Sequence, residues 1–175
     1  MLKNNLSSYG SVAKFFHWIM ALLMISMLTA GFLMTSIPAS KLKWSIYNIH
    51  KATGVMIFAF ALTRLTWRVI NINPMNVTMA NWQKIISNIT HYLLYLLMFS
   101  MTISGLVMSL FGGYTISMFG LCNIPASEKN PNLASFFHDF HGIAGLVLLA
   151  LVTLHICAAL YHHLWLKDDV LKRML

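Results

Sequence analysis

The sequence predicts an all-α membrane protein: a four-helix transmembrane bundle with both termini on the cytoplasmic side. Three observations carry that prediction. Of 175 residues, 58% are hydrophobic and only 9% charged, with a mean hydropathy of +0.70, whereas about a quarter of the residues of a soluble domain are charged. Apolar runs from Phe15 to Ser36, Ile49 to Ile70, Ile85 to Leu110 and Phe136 to Leu166 each reach the roughly 20 residues that cross a bilayer core as a helix. The basic residues are also unevenly placed. Lys3, Lys14, Arg64, Arg68, Lys84, Lys167, Lys172 and Arg173 lie at the N-terminus, the second connection and the C-terminus, against Lys41, Lys43, Lys51 and Lys129 near the other two connections. By the positive-inside rule the chain then runs out, in, out, in. Short connections leave no room for a second core, so residues 1–175 form one domain. The excess of twelve basic over four acidic residues is explained by this topology, and no nucleic-acid partner is expected.

Taken in order, the first run is too long for the apolar segment of a secretory signal and no A-x-A-like cleavage site follows it, so it stays as a helix. Ser8 or Ser11 is the expected cap of its start, with His17 near the cytoplasmic end beside an interfacial Trp18. Ile37 to Ser40 breaks the helix, and the segment to Tyr47 reads as a short outer connection. The second helix carries His50 near its outer end and Arg64 and Arg68 near its inner end. Asn71 to Gln83, with Pro74 and Trp82, reads as a polar loop at the inner surface. The third helix holds His91 near its inner end, and Gly105 marks a close approach to something further out. Phe111 to Asn132 is a long outer connection whose apolar piece, Tyr114 to Leu121, lies on the membrane or covers an outer site; loops of this length are uncommon without a role. The fourth helix follows. Cys122 and Cys157 form no motif, Cys157 reads as filler, and the thirteen methionines read as lipid-facing or core filler rather than copper ligands.

The histidines are the chemically informative residues, because a histidine in an apolar span is costly unless it faces the interior and has a partner. His141 and His155 are fourteen residues apart, close to four turns, so both leave one side of helix four about 21 Å apart. Two imidazoles at two depths suggest two stacked sites, and iron porphyrin, largely apolar and taking axial imidazole, is the natural occupant. Topology sorts the partners. Helix two enters from outside and places His50 at the level of His141; helix one enters from the cytoplasm and places His17 at the level of His155. Four residues beyond each stands a small residue, Ala21, Gly54, Gly145 and Ala159, on the same helix face. His91 fails that test, with Tyr95 there, and His91, His162 and His163 read as interfacial and non-ligating. His138, followed by Gly142, is the competitor to His141 but is off a common face with His155. Arg64 and Arg68 either reach for the inner surface or pair with haem carboxylates. His17, three residues from Lys14, sits shallower than His155, twelve from Lys167, so helix four projects inward or helix one sits lower.

Phe16-His17-Trp18, Ile49-His50-Lys51 with Gly54, Arg64-Leu65 with Arg68, Phe140-His141, Leu154-His155 and the ending Leu166-Lys167-Asp168 together resemble the bacterial cytochrome b561 family over nearly the whole chain. The resemblance implies an inner-membrane bundle with two b-type haems, and its ligand positions fall on His17, His50, His141 and His155. Phe140 stands where a tryptophan is usual. With both axial positions filled, such haems carry electrons rather than activate small molecules. The resemblance further implies a quinone, ubiquinone, as one partner, and some members resemble superoxide oxidases. Lys41, Lys43, Lys51 and Lys129 offer an outer positive field for a small anion, or simply a solvated rim. No catalytic side chain is expected: no carboxylate pair, nucleophile triad or nucleotide loop is present. Two other readings stay open, a cytochrome b subunit joining a partner dehydrogenase to the quinone pool and a His/Met metal transporter.

Overall fold

The computed structural model describes residues 1–74 and 80–175. Among these, four helices are long and apolar enough to cross a membrane: α1 (Ser11–Ser36), α2 (Lys41–Ile70), α3 (Asn81–Phe111) and α4 (Pro131–Tyr161), the last continued to Leu166 by a π-helical turn, His162–Leu166. Each is predominantly apolar around most of its circumference, and most large apolar side chains face outward, as lipid-solvated helices do. Hydroxyls on these surfaces close onto their own helices: Thr29, Thr63 and Thr153 each donate to the carbonyl four residues back at 2.9 Å, which satisfies them without water. The core is thin, with Met20, Ile57, Ala61 and Met98 at its centre. Close packing runs α1 on α2, α2 on α3 and α3 on α4, while α1 and α4 do not pack closely.

The helices are longer than their apolar runs because polar end turns continue them. The expected connection to Tyr47 shrinks to Ile37–Ser40: the Ser40 hydroxyl caps α2 by accepting from the Lys43 N–H at 3.2 Å. Neither Ser8 nor Ser11 caps α1. Gly10 holds that position with no side-chain cap, and its own N–H donates to Asn4 Oδ1 at 2.9 Å. Buried Asn4 also donates from Nδ2 to the Ile72 carbonyl at 2.8 Å, tying the N-terminus to the end of α2. Of the expected loop Asn71–Gln83, residues 81–83 already belong to α3, where Gln83 Oε1 accepts from the Ala80 N–H at 3.0 Å; residues 75–79 lie outside the described ones.

At the opposite end, α3 gives way to an antiparallel hairpin, β1 (Ile116–Met118) and β2 (Cys122–Ile124). Phe119 and Gly120 turn it with φ of 55° and 80°, the left-handed pair that matches strand twist in a tight hairpin. The hairpin drops Ile116, 1% exposed, onto the bundle. At the terminal end, Lys167 turns left-handed (φ 53°), Asp168 pairs with His162 Nδ1, and the chain folds back until the Met174 carbonyl accepts from Trp18 Nε1 at 2.8 Å. This resolves the depth mismatch between His17 and His155. Helix four does project beyond α1, and the tail returns along it to the level of Trp18.

Candidate functional site

The site is built from imidazoles that α1, α2 and α4 carry to two levels. Near the hairpin end, the rings of His50 and His141 meet edge-on with centroids 6.4 Å apart and planes at 74°. Nearer the termini, His17 and His155 meet at the same 6.4 Å with planes at 60°. These are the two pairings that helix direction predicts. The His17–His155 pair spans the seam between α1 and α4 that close packing leaves open.

Each pair is supported differently. Ser104 Oγ lies 3.0 Å from His141 Nδ1, while His50 Nδ1 is buried with no hydrogen-bond partner among the described residues. Gly105 is where the sequence signals close approach, and the close neighbour is His141: a Cβ at 105 would stand 3.1 Å from its Cε1. At the other level Arg64 Nη2 donates to His17 Nδ1 at 3.0 Å. Arg64 and Arg68 both lie over the Tyr95 ring at 5.6 Å. Arg64 is half-buried inside the bundle rather than reaching for the surface, whereas Arg68 is exposed.

His91 departs from expectation. It is not interfacial: its ring lies 5.6 Å from that of His155, closer than His17 does. Residue His91 projects from α3 toward α4, the neighbour on which α3 packs most closely, so the interhelix contact, not the residue at i+4, decides where it points. His138 is exposed beyond the outer pair, His162 is engaged by Asp168, and buried His163 Nδ1 has no partner among the described residues. Cys157, expected as filler, faces outward.

A cavity beside the outer pair has about 70 Å³ of room and nearly wholly apolar walls. Its lining includes His50, His141, Gly54 and Gly105, the hairpin's Ile116, and Met24, Met27, Met98, Met101 and Met108. The space beside Gly54 and Gly145 is not open; the methyls of Met27 and Met101 fill it, 3.8 and 3.5 Å from where a Cβ would stand. Methionine is unbranched and repacks readily, so these methyls can withdraw for a larger group.

Do these residues fit a haem? Two imidazoles on opposite sides of one metal have centroids about 6.2 Å apart, because each metal–nitrogen bond is about 2.0 Å and the ring centroid lies roughly 1.1 Å beyond it. Both pairs fit. Among the described residues no group of three or more His, Cys, Asp and Glu is gathered to hold a bare ion, so an ion here would need a group that brings its own donors, as a porphyrin does. The inner pair fits on one condition: an Nδ1 that accepts from a guanidinium leaves the ring hydrogen on Nε2, so Arg64 must release His17 before Nε2 can bind metal.

A polytopic membrane bundle with imidazoles paired at two depths between its helices has the plan of a membrane cytochrome. Residues 8–175 match the family model for prokaryotic cytochrome b561, and the chain belongs to that family: a multi-pass protein of the bacterial inner membrane that transfers electrons and uses b-type haem. It is 31% identical over 176 residues to cytochrome b561 homolog 2 of Escherichia coli, covering 98% of this chain and 93% of the relative. The probable superoxide oxidase CybB of Yersinia pestis is 28% identical over 160 residues, 91% of this chain and 90% of that one. Cytochrome b561 homolog 1 of Escherichia coli is 22% identical over 172 residues, 97% and 98% of the two chains.

Proposed function

We propose that this protein is a di-haem electron carrier passing electrons from a small donor on the hairpin side to quinone in the membrane. His50 and His141 hold one haem b, and His17 and His155 the other. The observation that carries this reading is the 6.4 Å imidazole separation repeated on two sets of facing helices. Haem, when bound, supplies the one-electron chemistry; the chain's residues hold, orient and shield it. Filling both axial positions with protein nitrogen favours electron passage over binding of small molecules at iron. Arg64, on releasing His17, is free to pair with a haem carboxylate, with Arg68 beside it over Tyr95. Gly54 and Gly145 spare backbone width where Met27 and Met101 give way.

Superoxide is the donor best suited to the hairpin side, and a superoxide oxidase name among the relatives supports this. Each superoxide gives up one electron and leaves as dioxygen; two electrons and two protons convert ubiquinone to ubiquinol. Lys51 lies 5.5 Å from the Tyr114 ring centre and Lys43 Nζ donates to the Ile37 carbonyl at 3.0 Å. Both cations are thereby held near the rim, where a positive field draws in a small anion.

The test is an absorption spectrum of the purified protein before and after dithionite, with haem and protein quantified. Two haems per chain are expected, one in His141→Ala or His155→Ala and none in the double variant. A colourless protein, or single variants that keep both haems, would end the proposal.

A further inference from the structure

We propose that Ser104 is a positioning residue for the outer site: its hydroxyl oxygen accepts the Nδ1–H of His141 and so presents a bare Nε2 to the metal. The proposal rests on the reading of His50 and His141 as an axial pair and assigns a role outside that pair.

The geometry sets the hydroxyl between two partners. Ser104 is 1% exposed, within the apolar interior, and its Oγ has two neighbours: the Met101 carbonyl at 3.1 Å and His141 Nδ1 at 3.0 Å. In the arrangement proposed, the single hydroxyl hydrogen goes to the Met101 carbonyl, which can only accept. Toward His141 the serine oxygen is then the acceptor, and the imidazole takes the tautomer with hydrogen on Nδ1. That is the form in which Nε2 is free to bind a metal. Ring position is set by the next residue, since any side chain at Gly105 would press on His141 Cε1. Ser104 and Gly105 on α3 therefore fix both the tautomer and the place of a ring borne by α4.

Comparison with the other rings shows that this is not a general property of histidines in the bundle. His50 Nδ1, across the same cavity, is buried without a partner among the described residues. His17 Nδ1 takes a hydrogen bond in the opposite sense, from Arg64. Among these three rings, the His141 contact is the one that matches the support ligating histidines usually have, an Nδ1–H given to an oxygen, which orients the ring and raises its basicity. A more basic axial imidazole stabilises the oxidised metal over the reduced one, so Ser104 lowers the midpoint potential of the outer haem and tightens its retention, and leaves the inner haem alone.

Threonine and valine have nearly the same shape and differ in the hydroxyl, so Ser104→Thr and Ser104→Val share any effect of the added bulk. Both, with Ser104→Ala, are compared with the full-length haem-loaded protein by redox titration and by the rate of haem transfer to apomyoglobin. In Ser104→Val and Ser104→Ala one of the two midpoints is expected to rise, by about 59 mV for each tenfold change in relative stability of the oxidation states. One haem should also transfer about 10-fold to 100-fold more readily, and Ser104→Thr should keep wild-type values for both. Midpoints unchanged in Ser104→Val, a Ser104→Thr that behaves like Ser104→Val, or two haems shifted equally would each overturn the role of Ser104. Failure of the axial-pair reading shows elsewhere, as a wild-type protein without two haems, and removes the proposal at its base.

Discussion

Arg64 and His91 decide how the inner pair works. A guanidinium within a span costs about 2.5–3.5 kcal/mol or more unless it is satisfied, and Arg64 is satisfied by His17 Nδ1 on one side and the Tyr95 face on the other. The arginine is therefore a cation held inside the bundle rather than at its surface, a choice that its spacing in the sequence left open. His91 is not interfacial because contact between α3 and α4 places this ring beside His155, whereas the small residue at i+4 tests only a histidine's own helix. The four paired histidines were legible because helix direction and the 3.6-residue turn fix level and face. Ser104, Asn4 and the methyls of Met27 and Met101 were not: a hydroxyl, an amide or a thioether acquires its partner only through tertiary packing. Two rings now compete for His155, and separation discriminates them. At 5.6 Å, His91 stands nearer than the roughly 6.2 Å that two coaxial imidazoles on one metal require, while His17 stands at 6.4 Å. His91→Phe should keep two haems per chain and His17→Phe should keep one. A pyridine haemochrome assay on the two purified variants reads the difference, and the reverse result would assign the axial position to His91.

Helices α1 to α4 follow from apolar length, but what holds their ends does not. Each end belongs to a polar residue that reaches across sequence: Ser40 for α2, Asp168 for the last turn of α4, Asn4 for α1. The hairpin is similarly local in origin and tertiary in effect, since a left-handed Phe119-Gly120 pair makes the turn and Ile116 then closes the outer cavity. It covers the site, one of the two roles its apolar sequence allowed. Asn4 is the element-scale contact most open to test. It accepts from the Gly10 N–H and donates to the Ile72 carbonyl, fastening the first turn of α1 to the end of α2. Asn4→Ala leaves the buried Gly10 N–H unpaired, which costs about 1–3 kcal/mol, and releases the carbonyl of exposed Ile72. Asn4→Asp keeps the acceptor for Gly10 and loses only the donor to Ile72. Thermal denaturation of the detergent-solubilised protein should rank wild type above Asn4→Asp above Asn4→Ala; equal midpoints would show that the clamp contributes nothing.

For the molecule as a whole, the levels of the two pairs and the distribution of charge describe one device. Fourteen residues of α4 separate His141 from His155, about 21 Å of a hydrocarbon core roughly 30 Å thick, so a carrier at each level spans most of the insulating layer. Which way electrons cross depends on which end faces the cytoplasm. The terminal end gathers Lys3, Lys14, Lys172 and Arg173 with Arg68 and Lys84, whereas the hairpin end has four lysines, and positive charge near the spans resists translocation. The bundle should therefore insert with the hairpin outside. The native cysteines test this without added reporters. Cys122 is exposed in β2 at the hairpin end, where water reaches its thiol. Cys157 faces outward from the last third of α4, still within its apolar run, where lipid excludes both water and a charged reagent, and a thiol kept from ionising is inert. A membrane-impermeant maleimide added to intact spheroplasts should label wild type and Cys157→Ser equally and leave Cys122→Ser unlabelled. Labelling of Cys122 that appears only after the membrane is opened would invert the bundle, put the hairpin cavity in the cytoplasm, and remove superoxide outside the membrane as the source of its electrons.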